Sequence, residues 1–263
     1  MPGDNIYSFS RLSTFEQCPY QYYLNYVLPK EERPPKEDNA FSLYGSFVHE
    51  LLEKYSLGEL ASWDLLQIYE DEFDLRVNKD FPPNAYADLR ESYFNDGYAF
   101  LESFDGFDEE YETLGVEQKF VCDFGDFKLQ GFIDLILRDR KTGGIIVQDW
   151  KSKSKFANKK EQAHYARQPA LYSKYIYETY GVFPTILRFY MFRKGTIVDI
   201  PFSEKIYNEA INWASNIVKK IEATDSWYPV KDSWMCTQLC DFRHSCQFAD
   251  EVREELIEKG EVI

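Results

Sequence analysis

Two apolar runs in the middle of the chain have the short, β-branched character of neighbouring strands. They are Gly-Phe-Ile-Asp-Leu-Ile-Leu at 131–137 and Gly-Ile-Ile-Val-Gln-Asp-Trp-Lys at 144–151. A polar, glycine-ended turn at 138–144 separates them, and this pattern predicts a hairpin. A preceding strand is predicted at 114–124. It is joined by a turn at Gly125–Asp126 to the first hairpin strand, which is expected to cover 127–138.

Amphipathic spacing predicts helices on both sides of these strands. We expect a helix at 8–27 with a junction at Cys18-Pro19, a Pro-rich loop at 28–40, and further helices at 44–55, 63–77, 86–104, 168–180 and 203–223. A second hairpin is predicted from 184–193 and 196–202. The order predicts one α/β domain, 1–263, in which helices flank a mixed central sheet. The region 56–112 is predicted to be a helical insertion.

Asp134 and Asp149 are predicted to be neighbours across the first hairpin. Paired positions in a hairpin share one midpoint, and the midpoint of this pair falls between Lys141 and Thr142, inside the turn. Lys151, two residues beyond Asp149, is expected on the same face. Opposed carboxylates repel each other, and a divalent cation would compensate. Oxygen ligands suit Mg²⁺ or Mn²⁺. The alternatives are an arginine partner for Asp134, or a shifted register that turns Asp134 toward water.

Charge is unevenly distributed along the chain. The net charge is −15 over 263 residues, which argues against a general nucleic-acid binder. From Lys151 to Arg167, however, basic residues face Glu161 alone, so this strip could attract an anionic substrate, or could be a solvated basic loop. No run reaches membrane-spanning length, and 1–5 has no signal pattern. We therefore expect a soluble, cytoplasmic protein without a membrane partner.

The cysteines divide into a set of four and a single residue. An odd total of five, without a signal peptide, argues against a disulfide framework. Cys122 alternates with Phe120 and Phe124, which predicts a buried core thiol. The other four are predicted to form one metal centre that joins the chain ends at 18 and 234–248: Cys18, Cys236, Cys240 and Cys246. Four unrelated reduced cysteines are the alternative.

Taken together, these features resemble the PD-(D/E)XK nuclease superfamily, in its RecB-type branch with an iron–sulfur cluster, which includes AddB-like and CRISPR-adaptation nucleases. The resemblance runs from Ser8 to Phe248, is weakest at 63–104, and implies a restriction-endonuclease-like core. The matching pieces are Gly45-x3-His49-Glu50, Glu117, Gly131-Phe132-Ile133-Asp134, Asp149-Trp150-Lys151, Gln168-x3-Tyr172 and the split cysteine set.

The resemblance implies a role for each matching residue. Metal ligation falls to Asp134, Asp149, His49 and the backbone carbonyl of Trp150. Lys151 would orient or activate the attacking water and stabilise developing charge, and Glu117 would be an accessory acid. Gln168 and Tyr172 would support Lys151 or contact DNA. Simpler alternatives exist for four of these residues: a helix-border imidazole for His49, a solvent-facing acid for Glu117, a helix cap for Gln168 and core packing for Tyr172.

For the cysteine centre, the resemblance implies a structural 4Fe-4S cluster. The family spacing is Cys-x2-Cys, whereas here Cys236 and Cys240 are separated by three residues. A zinc site is the alternative, and in that case His244 could replace one cysteine.

The implied activity is that of a metal-dependent DNA nuclease. We expect an exonuclease acting on single-stranded or end-containing DNA in recombination or repair. A helicase or recombination protein is the expected partner, since the chain carries no motor. The alternatives are a non-catalytic module that binds DNA ends or a partner, and an enzyme acting on RNA.

Overall fold

A mixed six-stranded sheet forms the centre of the computed structural model, which describes residues 5–106 and 109–260. Strand β3 pairs with three other strands. Along one edge of β3 runs β2, which is antiparallel to it. The other edge of β3 pairs with β4, which is antiparallel, and with β1, which is parallel. Next, β5 runs parallel to β4 and β6 antiparallel to β5. The strands are β1 (Ile6–Tyr7), β2 (Tyr111–Asp123), β3 (Lys128–Asp139), β4 (Ile145–Lys151), β5 (Ile186–Met191) and β6 (Thr196–Pro201).

Helices cover both faces of the sheet. On one face α1, α6 and α7 contribute to a core that includes Leu12, Leu171 and Ile217. On the other face α3, α4 and α5 contribute to a second core. The helices are α1 (Phe9–Gln17), α2 (Pro19–Tyr22), α3 (Ala40–Ser56), α4 (Ser62–Arg76), α5 (Leu89–Glu102), α6 (Lys159–Tyr180), α7 (Glu204–Glu222) and α8 (Gln247–Glu258). The predicted mixed sheet flanked by helices is confirmed.

Polar caps fix the starts of α3 and α7. Before α3, the Asn39 side chain accepts a hydrogen bond from the Ser42 N–H at 2.9 Å, and the Asn39 N–H donates to the Ser42 hydroxyl at 3.1 Å. This reciprocal pair satisfies two donors at the helix start. Ser203 caps α7 by accepting from the Ile206 N–H at 3.3 Å, as its sequence position predicts.

Helix α6 begins earlier than its sequence predicts. The expected start near Gln168 rested on the preference of proline for a first helical turn. The helix starts instead at Lys159, where the Asn158 side chain accepts from the Glu161 N–H at 3.0 Å. Pro169 therefore lies inside the helix and has no N–H for the Tyr165 carbonyl. Burial of Pro169 with Ala170 and Leu171 overrides this cost. The prediction of a loop up to Arg167 was wrong. The two-residue strand β1 was also not anticipated.

Helices α4 and α5 match the two that were expected in the insertion. They share the core of α3, and Asp96 of α5 ties them to the β5–β6 turn through Arg193 at 2.7 Å and Lys194 at 2.6 Å. The predicted insertion, 56–112, includes residues 107 and 108, which lie outside the described part. None of the helices described is both long and apolar enough to cross a membrane.

The C-terminal segment packs against the residues that lead into α3. Arg243 is buried and donates to the backbone carbonyls of Glu37 at 2.8 Å and Asp38 at 2.7 Å. In return, the Glu37 N–H donates to the Asp241 carbonyl at 2.8 Å. These bonds fix the start of α3, the helix that carries His49.

Candidate active site

Three acids occupy one row across β2, β3 and β4. Leu135 pairs with Gln148 and Ile136 with Val147, so the next step in the same register brings Asp134 opposite Asp149. The predicted hairpin register is therefore the register observed. On the other edge of β3, the pairs Val116–Leu135 and Gln118–Ile133 bracket Glu117 opposite Asp134.

Glu117 has an unusual backbone conformation. Its φ is 44°, in the left-handed region that costs a non-glycine residue about 1 kcal/mol or more. A register shift lies just before it, between Thr113 and Gly115. The Glu117 carboxylate reaches the imidazole of His49, with Oε1 2.9 Å from Nε2. The alternative of a purely solvent-facing strand acid does not describe this residue.

His49 lies on α3, in the layer of helices that also contains α4 and α5, and its side chain reaches the acid row. Its Nε2 lies 3.8 Å from Asp134 Oδ2, and the ligand atoms of His49, Glu117 and Asp134 all lie within 4.8 Å of one another. The close approach of α3 depends on Gly45, because a Cβ there would lie 3.2 Å from the Ser152 hydroxyl at the end of β4.

Lys151 completes the site beside Asp149. Its Nζ lies 2.6 Å from Asp149 Oδ2 as an ion pair. That oxygen is buried and has no partner of hydrogen-bond geometry among the described residues, so it retains capacity for another ligand. The Lys151 ammonium also donates to Gln168 Oε1 at 3.3 Å, and the Gln168 amide donates to the Tyr172 hydroxyl at 3.2 Å.

Trp150 lies between the two charged residues but faces the other side of the sheet. Its ring is buried in the second core. Its backbone N–H donates to Asp134 Oδ2 at 2.9 Å, a contact that orients the Asp134 carboxylate and that the sequence did not indicate.

The electrostatics of the site are those of crowded carboxylates. Burial, followed by repulsion from Asp149, raises the pKa of Asp134 to about 7. Burial alone would lower the pKa of His49, but the hydrogen bond to Glu117 and the nearby Asp134 raise it. Burial would likewise lower the pKa of Lys151, and the neighbouring Asp149 and Asp134 raise it instead. The carboxylate oxygens of Glu117, Asp134 and Asp149 form an oxygen-rich donor set that fits a divalent cation.

The four predicted centre-forming cysteines line one small pocket between the chain ends. Backbone N–H groups face two of the sulfurs: Gln21 N–H to Cys18 and Phe242 N–H to Cys240, both at 3.4 Å. Burial raises the pKa of the Cys240 thiol to about 11. His244 lines a different pocket, beside Asn39 and Lys79, and is not among the residues that line the cysteine pocket. Cys122 is a buried core thiol, as predicted.

Sequence reasoning missed one aromatic residue at the site. The Tyr165 ring centre lies 5.5 Å from the Nζ atoms of both Lys151 and Lys153. Tyr165, Gln168 and Tyr172 follow a helical spacing of three and four residues, which would have revealed this face. This spacing was not recognised because the helix was expected to begin at residue 168, after Tyr165.

A row of acids beside a lysine, on a mixed sheet between two helical layers, could hold a cation of the kind that assists phosphodiester hydrolysis. The chain belongs to the PD-(D/E)XK nuclease superfamily, whose family model matches residues 6–247.

Two curated relatives are each named as a subunit of an ATP-dependent helicase/deoxyribonuclease. The protein from Clostridium perfringens (strain SM101 / Type A) is 30% identical over 100 residues, covering 35% of this chain and 8% of the relative. The protein from Clostridium kluyveri (strain NBRC 12016) is 43% identical over 51 residues, covering 19% of this chain and 4% of the relative. The chain thus spans under a tenth of the length of either relative. A solved structure, "Crystal structure of SSO0001", is 14% identical, with a TM-score of 0.38 and coverage of 94% of this chain and 88% of the other.

Proposed function

We propose that this protein is a metal-dependent DNA nuclease that hydrolyses phosphodiester bonds. The observation that carries the proposal is the row of Glu117, Asp134 and Asp149 with Lys151 ion-paired to Asp149. A site that only bound nucleic acid would gain nothing from three carboxylates, because they repel phosphate. Family membership supports the same conclusion.

Asp134, Asp149, His49 and the Trp150 carbonyl are the proposed cation ligands, with Glu117 as an accessory acid. A divalent cation held there would neutralise phosphate oxygens and acidify water. The hydrogen bond from the Trp150 N–H orients the Asp134 carboxylate before substrate arrives. Glu117 holds the His49 ring through Nε2, the nitrogen that also faces Asp134, so this nitrogen would have to give up its proton to Glu117 or to water before it could bind a cation.

Lys151 acts as a fixed positive charge. Since its pKa is raised, it remains an ammonium at neutral pH, and its role is to stabilise charge that develops on the phosphate and to orient water, not to accept a proton. Gln168 holds the ammonium through Oε1, and Tyr172 holds Gln168. Gln168 and Tyr172 are therefore positioning residues in this proposal.

DNA, single-stranded or with an end, is the proposed substrate, and exonucleolytic cleavage in recombination or repair the proposed reaction. The name shared by the two relatives, which includes both helicase and deoxyribonuclease, supports DNA as substrate and a helicase as partner. We also propose that 1–263 folds as one domain with 56–112 as its helical insertion.

A structural 4Fe-4S cluster is the proposed occupant of the cysteine pocket, with segments 18 and 234–248 as its binding segments. Two sulfurs on one zinc ion lie at most about 4.6 Å apart, since each Zn–S bond is about 2.3 Å. In the part of the chain that is described, no three of the four cysteine sulfurs lie within 4.8 Å of one another. The wider spacing supports a cluster over zinc. Metal and sulfide analysis of anaerobically purified protein, with a visible spectrum, separates the two.

Nuclease assays of wild type and Lys151→Ala with Mg²⁺ or Mn²⁺ test the proposed activity. Labelled single-stranded DNA, duplex DNA and RNA should be digested side by side. We expect wild type to degrade single-stranded DNA and Lys151→Ala to be at least about a hundredfold slower. Equal, negligible activity in both proteins would favour the alternative, a binding module with the same fold. Preferential digestion of RNA would refute the proposed substrate.

A further inference from the structure

A groove between α1 and α6 ends at the proposed active site. Its volume is about 680 Å³, and its inner end is formed by Lys151, Gln168 and Tyr172. Beyond these residues, hydroxyl-bearing side chains of α1 face two aromatic residues of α6: Ser10, Ser13, Thr14, His164 and Tyr165.

The groove is polar and has an unfilled hydrogen-bond site. The hydroxyl oxygen of Ser13 is buried and lacks a hydrogen-bond partner among the residues described. A buried polar atom of this kind is normally satisfied by water or by a ligand. At the inner end, the ammonium groups of Lys151 and Lys153 each lie 5.5 Å from the Tyr165 ring centre, and each is paired with an acid, Asp149 and Glu161 respectively.

The one carboxylate in the lining is held by cationic and neutral donors. Glu16 accepts from Arg167 Nη1 at 3.1 Å and from Trp213 Nε1 at 2.8 Å. These contacts offset its charge, and they also tie α1 to α6 and α7. The groove therefore has fixed walls and does not present a free negative charge to an anion.

We propose that this groove binds the unpaired nucleotides next to the scissile phosphate. The inference rests on the proposed nuclease function and adds where the strand lies. A volume of about 680 Å³ falls in the range of roughly 300–1,000 Å³ that holds small organic ligands. It accommodates one or two nucleotides of a single strand and is far too small for a duplex. Serine and threonine hydroxyls are suited to phosphate and sugar oxygens. Cleavage then requires an unpaired strand at this position.

Opposite charges placed at Ser10 test the proposal. Ser10 is an exposed groove residue in the first turn of α1. We expect Ser10→Lys to bind a fluorescein-labelled oligothymidylate about threefold more tightly than wild type and Ser10→Glu about threefold more weakly, by anisotropy in EDTA. A helix N-terminus favours Glu over Lys, so an effect through fold stability would have the opposite sign. A blunt duplex should respond to neither change.

Asn208, exposed on α7 and not part of the groove lining, provides the matched control. Asn208→Lys and Asn208→Glu should leave oligothymidylate affinity unchanged. If the Ser10 pair behaved like the Asn208 pair, or if the duplex shifted equally with Ser10, the groove assignment would be wrong.

Hydrolysis of bis(p-nitrophenyl) phosphate by wild type tests the nuclease function separately, since this small diester does not extend along the groove. A wild type that hydrolyses neither this diester nor DNA refutes the nuclease function. If the nuclease function were refuted in this way, opposite affinity shifts at Ser10 would support only that the groove binds a single strand, without a scissile phosphate beside it.

Discussion

The ammonium nitrogen of Lys151 lies 2.6 Å from Oδ2 of Asp149, and the two side chains are only 19% and 8% exposed. They are two residues apart on β4 and therefore share one face of the sheet. Each compensates the other's charge in a site with little water. Because the same aspartate stands beside Asp134, this ion pair joins the lysine to the acid row.

Asp149→Asn should abolish cleavage and retain the fold. The amide has the same shape but cannot supply the negative charge that a cation requires, so we expect a rate loss on the order of a hundredfold or more. Circular dichroism and the melting temperature check that the protein remains folded. Glu209→Gln, at an ion pair on the exposed face of α7, is the matched control and should cleave like wild type. Unchanged turnover in Asp149→Asn would remove this residue from the site.

Gly131→Ala should weaken catalysis through the positioning residues. A Cβ at this position would lie 3.0 Å from the Tyr172 hydroxyl and 3.1 Å from the Phe120 ring. Tyr172 would then have to shift by a few tenths of an ångström, which disturbs its hydrogen bond to Gln168, the residue that holds Lys151. We expect a drop in kcat of about tenfold with KM little changed. The same substitution in a Tyr172→Phe background should cost less, because the hydrogen bond between Gln168 and Tyr172 that it would disturb is already absent. Equal losses in both backgrounds would contradict this coupling.

The metal-free protein should lose stability as the pH rises toward 7. Burial and then Asp149 raise the pKa of Asp134 from its ordinary 3.8 to about 7. Between these values the folded state retains a proton that the unfolded state has lost. The stabilisation from this proton is complete below pH 4 and is lost as the pH rises through 7. Asp134→Asn lacks this dependence and should gain stability relative to wild type across the window.

Urea unfolding in EDTA at about pH 5 and about pH 8 measures this difference. The free energy of unfolding of Asp134→Asn minus that of wild type should be larger at the higher pH. A difference that stays constant with pH would show that Asp134 is not protonated in the folded protein. Manganese should stabilise wild type at the higher pH far more than Asp134→Asn.

Cys240→Ala should give colourless, poorly folded protein. Its sulfur lines the pocket that joins Cys18 to the C-terminal segment, so loss of a ligand would release both chain ends. The visible spectrum, iron content and melting temperature provide the measurements. Cys122→Ala is the matched control: this thiol lies in the hydrophobic core, so the variant should keep its colour and lose only about 1 kcal/mol of stability. Brown, fully active Cys240→Ala protein would exclude a cluster role.

The hairpin shows how much of the structure a local sequence pattern can predict. The positions of the turn and of the apolar residues predict that Asp134 faces Asp149, and the observed register, with Leu135 opposite Gln148, leads to that pairing at the next step. The start of α6 shows the limit. A proline rule that holds for isolated helices placed the start at Gln168, whereas burial of Pro169 allowed the helix to begin at Lys159. The roles of Tyr165 and the α1–α6 groove were therefore not visible in the sequence.

The sequence by itself determined most of the helices and strands, the hairpin register and the lysine that shares a face with Asp149, because each depends on residues close together along the chain. The sequence also predicted that Cys18 would join cysteines more than two hundred positions away, and the structure places all four at one pocket. Only the tertiary structure decided that His49 contacts Glu117. Contacts between residues so far apart in the sequence depend on how whole helices pack against the sheet. The left-handed backbone of Glu117 likewise has no local signal, since the surrounding strands impose it.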